Sequence, residues 1–128
     1  MHHLGVHEID GAVAAFFHGH PLGEACFLRV SRTCDAMGTY EVRVTKTQVA
    51  FRRRRSFAFL WLPGTWLEHP DAEVVLSLAL PQERHSERFK EVVHPSKGIW
   101  MHHLEITSPE DIDAQVVAWI EEAWESAA

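Results

Sequence analysis

The stretch TYEVRVTKTQVAFRRRRSFAFLWLP, residues 39–63, decides the fold, because apolar and polar side chains alternate along most of its length. Such alternation is typical of a β-strand with one buried face. The pattern predicts antiparallel strands over residues 40–45, 47–52 and 57–61, joined by tight turns. Pro63 and Gly64 end the run, since both residues interrupt regular strands.

Two further strands are predicted toward the C-terminus. Residues 74–80 end at a proline, and residues 100–106 alternate again between apolar and polar positions. The segment between them, residues 82–98, is mostly polar and charged, so we expect a loop with at most one helical turn. Five strands are therefore expected.

Helices are predicted on both sides of these strands. Residues 8–17 and 22–37 carry apolar side chains at helical spacing, and Gly38 follows the second helix as a C-terminal glycine. Near the C-terminus Ser108 and Pro109 are typical of a helix start. The closing helix has a continuous apolar face, formed by Ile112, Val116, Trp119, Ile120 and Ala123.

Together these elements predict a single α+β domain over residues 1–128. It has two N-terminal helices, a five-stranded mainly antiparallel sheet, and a C-terminal helix packed on the sheet. We expect Trp119 and Ile120 to be buried at that contact.

Composition favours a soluble cytoplasmic protein. The 128 residues carry 12 Lys and Arg against 18 Asp and Glu, a net charge of −6, and 46% are hydrophobic. No apolar run reaches the roughly 18 residues that a membrane helix needs, and the first ten residues lack a signal-peptide pattern. Cys26 and Cys34 lie on one predicted helix about 12 Å apart, too far for a disulfide. Free thiols favour a reducing compartment, and we expect no membrane partner.

Three stretches carry a resemblance to a known family: FFHGHP, VRVTKTQVAFRRRRSFAFLWLP and GIWMHHLEITSPEDIDAQVVAWIEEAW. From about Phe16 onward, the chain resembles the bacterial family called domain of unknown function 5655. The resemblance implies no activity and no catalytic residues, because none is established for that family.

The ten histidines suggest metal binding as an alternative function, since neutral imidazole is a common metal ligand. Their spacing gives it little support: there is no Cys-x-x-Cys or His-Glu-x-x-His motif, and His102 and His103 point to opposite faces of one strand. The other close pairs are His18 with His20 and His2 with His3. Scattered surface imidazoles are the preferred interpretation, except that His102 shares an apolar strand face and is expected to be partly buried and hydrogen-bonded.

Arginines and tryptophans suggest binding surfaces. The run Arg52–Arg55 would contact phosphate groups, but side chains around a hairpin turn splay apart and the chain is acidic, so nucleic acid is not an expected partner. Trp66 and Trp124 are weakly tied to the predicted core and are candidates for contacts with a partner or second subunit. No nucleophile motif or glycine-rich phosphate loop is present, so we expect no cofactor.

The strand pattern predicts one helix-covered face and one uncovered face. We expect the covered face to hold Val42, Val44, Phe57, Phe59, Trp61, Leu76, Leu78 and Leu104. We expect the uncovered face to hold Arg43, Thr45, Gln48, Ala50, Arg52, Ala58, Ser77, Ala79, Met101 and His103. Small side chains at its centre predict a shallow concavity for a polar or anionic small ligand or for a second copy of the chain. A solvated face without a partner is the equally weighted alternative.

The expected ligand-binding residues are Arg43, Lys46, Gln48, Arg52 and His103. The sequence thus favours a small, non-catalytic cytoplasmic binding or interaction module, with a homodimer as one form of it. A histidine-dependent metal-handling protein or metal-dependent hydrolase is the alternative, so whether the chain is an enzyme stays open.

Overall fold

The computed structural model describes residues 10–65 and 72–128. The helices are α1 (Gly11–Phe16), α2 (Pro21–Met37) and α3 (Ala114–Ser126). The strands are β1 (Glu41–Val44), β2 (Val49–Arg52), β3 (Ser56–Trp61), β4 (Val74–Leu80), β5 (Phe89–Ser96) and β6 (Ile99–Ile106). Single turns of 3-10 helix lie at Pro63–Thr65 and Pro109–Asp111.

The six strands form one sheet in the order β1-β2-β3-β4-β6-β5, and every neighbouring pair is antiparallel. The α+β class is confirmed, but the expected five strands are six. The additional strand is β5, which lies in the segment predicted to be a loop. It forms an edge of the sheet and is exposed at most positions, so it lacks the alternation that marks a half-buried strand. Pro95 is tolerated there because an edge strand need not donate every amide hydrogen bond.

One face of the sheet, the helix face, packs against α2 and α3. Phe27 of α2 lies 5.4 Å from Phe51 of β2 between ring centroids, and Ile120 of α3 is fully buried, as predicted. Trp119 is only partly buried, and it packs on Phe89 with ring centroids 4.6 Å apart. Burial of these side chains fixes the helix layer on the sheet.

The helix boundaries differ from prediction at three points. Asp10 caps α1 by accepting the Val13 amide hydrogen at 3.0 Å, and α1 ends at Phe16; the predicted start at residue 8 lies outside the described residues. Helix α2 begins one residue earlier than predicted, because a proline fits the first helical turn. Ser108 caps the short 3-10 turn rather than α3, which is capped by Asp113.

A bulge in β3 corrects the predicted faces of the sheet. Phe51 pairs with Ala58 and Arg52 pairs with Ser56, so Phe57 has no cross-strand partner. An extra residue on one strand shifts the alternation that follows it. The helix face therefore receives the side chains that pair with Val49 and Phe51, namely Leu60 and Ala58. Phe57 is fully buried, but the predictions of Ala58 on the uncovered face and of Phe59 and Trp61 on the covered face are wrong.

The cysteines are free thiols buried in α2, as expected. Burial raises the pKa of Cys26 to about 12 and also raises the pKa of Cys34. Both side chains therefore stay protonated and fill core space. Within residues 10–65 and 72–128, no helix has the length and apolar character needed to cross a membrane.

Candidate ligand-binding groove

The turn between β1 and β2 is held by the side chain of Thr45. Its hydroxyl oxygen accepts the amide hydrogens of Thr47 at 3.3 Å and Gln48 at 3.2 Å, while its own amide donates to the Gln48 carbonyl at 2.9 Å. Threonine side chains stabilise turns in this way. The turn fixes Thr47 and Gln48 beside the sheet and leaves Lys46 exposed.

The face of the sheet opposite α2 and α3, the open face, carries a groove of about 570 Å³. Its lining residues come from the β1–β2 turn and three strands: Thr47, Gln48, Phe59, Trp61, Ser77, Met101 and His103. Cross-strand register brings them together, since Ser77 pairs with Phe59 on one side and with His103 on the other. Trp61 follows Phe59 by two residues and therefore points to the same face.

A chain of hydrogen bonds joins three of these residues. The Trp61 indole Nε1 donates to Ser77 Oγ at 3.2 Å, and Ser77 Oγ lies 2.6 Å from His103 Nδ1. Burial lowers the pKa of His103, while the negative charge of Glu91 on β5 opposes this effect. The His103 imidazole is therefore neutral near pH 7.

The lining is chemically mixed but uncharged. Phe59, Trp61 and Met101 supply apolar and aromatic surface, while Ser77 and His103 supply polar atoms at the centre. Ligand sites often combine apolar walls with few polar groups that fix orientation. The groove is suited to a flat apolar body with one hydrogen-bonding group.

Two of the five sequence-predicted ligand residues, Gln48 and His103, line this groove. Arg43 is exposed on β1, Lys46 lines a separate 400 Å³ pocket against α1, and Arg52 lies beside a third pocket near the β2–β3 turn. The structure does not bring all five together.

Sequence reasoning missed the aromatic part of the groove. Phe59 and Trp61 were assigned to the helix face because they continue the alternation of Phe57. The bulge that reverses this assignment has no marker in the sequence, since no glycine or asparagine occurs in β3. Thr47 was missed because alternation along the predicted strand 47–52 places it on the same face as Val49 and Phe51. In the structure β2 begins at Val49, and Thr47 lies in the turn before it.

His102 lies on the helix face and is fully buried, with its ring centroid 4.7 Å from that of Phe89 on β5. Its Nε2 accepts the Arg84 amide hydrogen at 2.9 Å, and its Nδ1 lies 2.9 Å from the Trp100 carbonyl oxygen. Burial lowers its pKa. The predicted burial and hydrogen bonding are confirmed. Among the described residues, no group of three or more His, Cys, Asp or Glu side chains is arranged to hold a metal ion.

The turn between β2 and β3, residues 53–55, is called the arginine turn and contacts the C-terminal end of α3. The Arg53 guanidinium lies 3.5 Å from the ring centroid of Trp124 and donates to its carbonyl oxygen at 3.0 Å. The Trp124 indole donates to the Thr39 carbonyl at 3.3 Å. Trp124 is partly buried and packs against the core, so these contacts engage its ring within the chain. Its predicted contact with a partner stays a prediction, and Trp66 lies outside the described residues.

The comparisons with known proteins identify one family. The family model described as Domain of unknown function (DUF5655) matches residues 25–127. No curated protein and no solved structure matches the chain. The expected family is confirmed over residues 25–127, which hold most of α2, the whole sheet and α3.

Proposed function

The chain belongs to the DUF5655 family, and from the groove on its open face we propose that it is a small-molecule binding module. The ligand is a flat, largely apolar molecule with one polar group. The observation that carries the proposal is the hydrogen-bonded series Trp61, Ser77 and His103 within a groove of about 570 Å³. This volume lies inside the range of roughly 300–1,000 Å³ that small-molecule sites occupy.

The lining supports a largely apolar ligand more than the polar or anionic ligand expected from the sequence. An anion would lose its hydration on entering the groove, and removing an unpaired charge from water is costly. Among the described residues, no lysine or arginine lines the groove to pair with that charge. Arg43 and Arg52 lie elsewhere. The polar contact of the proposed ligand is therefore assigned to His103, with Gln48 at the rim.

We propose that the site binds without catalysis. A serine 2.6 Å from an imidazole nitrogen resembles an activated nucleophile. However, Ser77 is only 3% exposed and its oxygen already accepts the Trp61 hydrogen, which leaves it poorly placed to attack a substrate.

An NMR titration with 2-acetylnaphthalene tests the proposed site. We expect saturable shifts confined to the groove residues. Met101→Glu places a charge in the groove and should weaken binding at least tenfold. Val93→Glu is the matched control. Val93 is the cross-strand partner of Met101 on the neighbouring strand β5, but it is 41% exposed and does not line the groove.

Binding by the control variant should match the wild type within twofold. Urea unfolding of both variants establishes that they fold. The proposal fails if the shifts lie outside the groove, or if Met101→Glu and Val93→Glu bind the probe equally.

The other expected properties remain part of the proposal: a bacterial, cytoplasmic protein that does not bind nucleic acid. The buried free thiols Cys26 and Cys34 support a reducing compartment. Engagement of Arg53 by Trp124 and the net charge of −6 support the exclusion of nucleic acid.

A second copy of the chain is the competing occupant of the open face. Sedimentation of the wild type and Met101→Glu distinguishes it, because a dimer through this face would dissociate in the variant. The metal-dependent alternative is tested by metal analysis of untagged protein, where stoichiometric zinc or nickel would favour it.

A further inference from the structure

In the hydrogen-bond series of the groove, the donor of the first bond is fixed: it is the indole N–H of Trp61. An indole nitrogen can only donate, so the Trp61 hydrogen occupies one acceptor position of Ser77 Oγ, at 3.2 Å. The hydroxyl of Ser77 still carries its own hydrogen. Ser77 is 3% exposed, so an acceptor within the protein is the favoured partner of that hydrogen.

His103 Nδ1 supplies that acceptor. It lies 2.6 Å from Ser77 Oγ and is the only other hydrogen-bond partner of this oxygen among the described residues. The reverse arrangement, with Nδ1–H donating to Ser77, would leave the hydroxyl hydrogen without an acceptor among the described residues. Ser77 therefore donates to Nδ1, and the neutral imidazole of His103 carries its hydrogen on Nε2.

The neighbouring histidine holds the opposite tautomer. Nε2 of His102 accepts the Arg84 amide hydrogen at 2.9 Å, so Nδ1 carries the hydrogen and donates to the Trp100 carbonyl oxygen. Two adjacent histidines on β6 thus have opposite tautomers. In each ring, the hydrogen bond accepted by one nitrogen places the hydrogen on the other nitrogen. His102 serves as an internal reference for His103.

We infer that the groove recognises an uncharged carbonyl oxygen on a flat apolar molecule, through the Nε2–H of His103. This inference rests on the proposed function. Thr47 and Gln48 can donate or accept by rotating their side chains, whereas His103 offers only a donor. The uncharged lining favours a ketone, ester or amide oxygen over a carboxylate, since no described cation in the groove would pair with the charge.

The tautomers are measured in the free protein by long-range proton–nitrogen NMR of the histidine rings. We expect the Nε2–H form for His103 and the Nδ1–H form for His102. In Ser77→Ala, His103 should populate both forms, because its Nδ1 loses its donor. Ser96→Ala, an exposed serine on β5, is the control and should leave both rings unchanged.

Three probes of similar shape test the ligand class: 2-acetylnaphthalene, 2-isopropylnaphthalene and 2-naphthoate. They are compared by NMR at one concentration below the solubility of the least soluble probe. The ketone should bind at least fivefold more tightly than the hydrocarbon and more tightly than the carboxylate. Ser77→Ala should lower the preference for the ketone over the hydrocarbon in proportion to the fraction of His103 that leaves the Nε2–H form.

The outcomes separate the inference from the proposed function. An Nδ1–H tautomer at His103, equal groove binding of ketone and hydrocarbon, or tightest binding of the carboxylate would overturn the inference while leaving the groove as a binding site. Absence of groove shifts with all three probes would overturn the proposed function itself, and the ligand class with it.

Discussion

Replacing Ile120 with alanine tests the packing of α3 on the helix face. Ile120 is fully buried, and α3 packs against β3 and β4. The change removes three buried carbon atoms, which at about 0.8 kcal/mol each amounts to roughly 2.4 kcal/mol of lost transfer free energy. If about 50 Å³ stays unfilled, the cavity adds about 1.2 kcal/mol at about 24 cal/mol per Å³. We therefore expect the free energy of unfolding to fall by about 3.6 kcal/mol.

Equilibrium unfolding in urea, followed by tryptophan fluorescence and far-UV circular dichroism, measures this loss. The slope of the transition should be unchanged, because the same surface is exposed on unfolding. Glu121→Ala is the matched control: Glu121 is the next residue and is exposed, so its change should stay within about 0.5 kcal/mol. A loss below about 1 kcal/mol for Ile120→Ala would refute the proposed packing of α3.

Three further predictions concern stability, and urea unfolding measures each of them. Burial lowers the pKa of His102 below the unfolded value of about 6.5, so its contribution to stability is fully present above that value and is lost as the pH falls below it. Between pH of about 7 and about 5 the wild type should therefore lose more stability than His102→Gln, in which His103 still titrates this way. Equal losses of unfolding free energy in the wild type and His102→Gln over this pH range would contradict the prediction. Arg53→Ala removes the cation–π contact and the hydrogen bond to Trp124 and should cost about 1–2 kcal/mol, and an unchanged midpoint would show that neither contact matters. Gly38→Ala should cost more than about 1 kcal/mol, because Gly38 has φ 148° and a Cβ there would lie 3.1 Å from the Trp124 ring; a more stable variant would contradict it.

The interior of the sheet was predictable because burial on one face leaves a period of two in the sequence. The alternation of β6 was found in this way. Strand β4 was found because large apolar residues alternate with the smaller Ser77 and Ala79, although all seven of its positions are buried. Strand β5 was not, because an edge strand exposed at most positions has little apolar pattern to reveal it. Its pairing with β6 depends on backbone hydrogen bonds, which every residue type except proline can donate.

The site was predictable only in outline. Alternation along β4 and β6 correctly placed Ser77 and His103 on one face, and their direct pairing follows from the register. Phe59 and Trp61 were assigned to the wrong face, because the bulge at Phe57 depends on how the hairpin packs rather than on local residue preference. The same limit applies to the arginine turn, whose partner on α3 is more than 70 residues away.

The most direct test of the central claim, that the open-face groove is the ligand site, is a crystal structure of the chain soaked with 2-acetylnaphthalene. We predict density for the naphthalene rings against Phe59, Trp61 and Met101, with the ketone oxygen within hydrogen-bonding distance of His103 Nε2. Density for the probe at another surface, with the groove empty or covered by a second copy of the chain, would contradict the account.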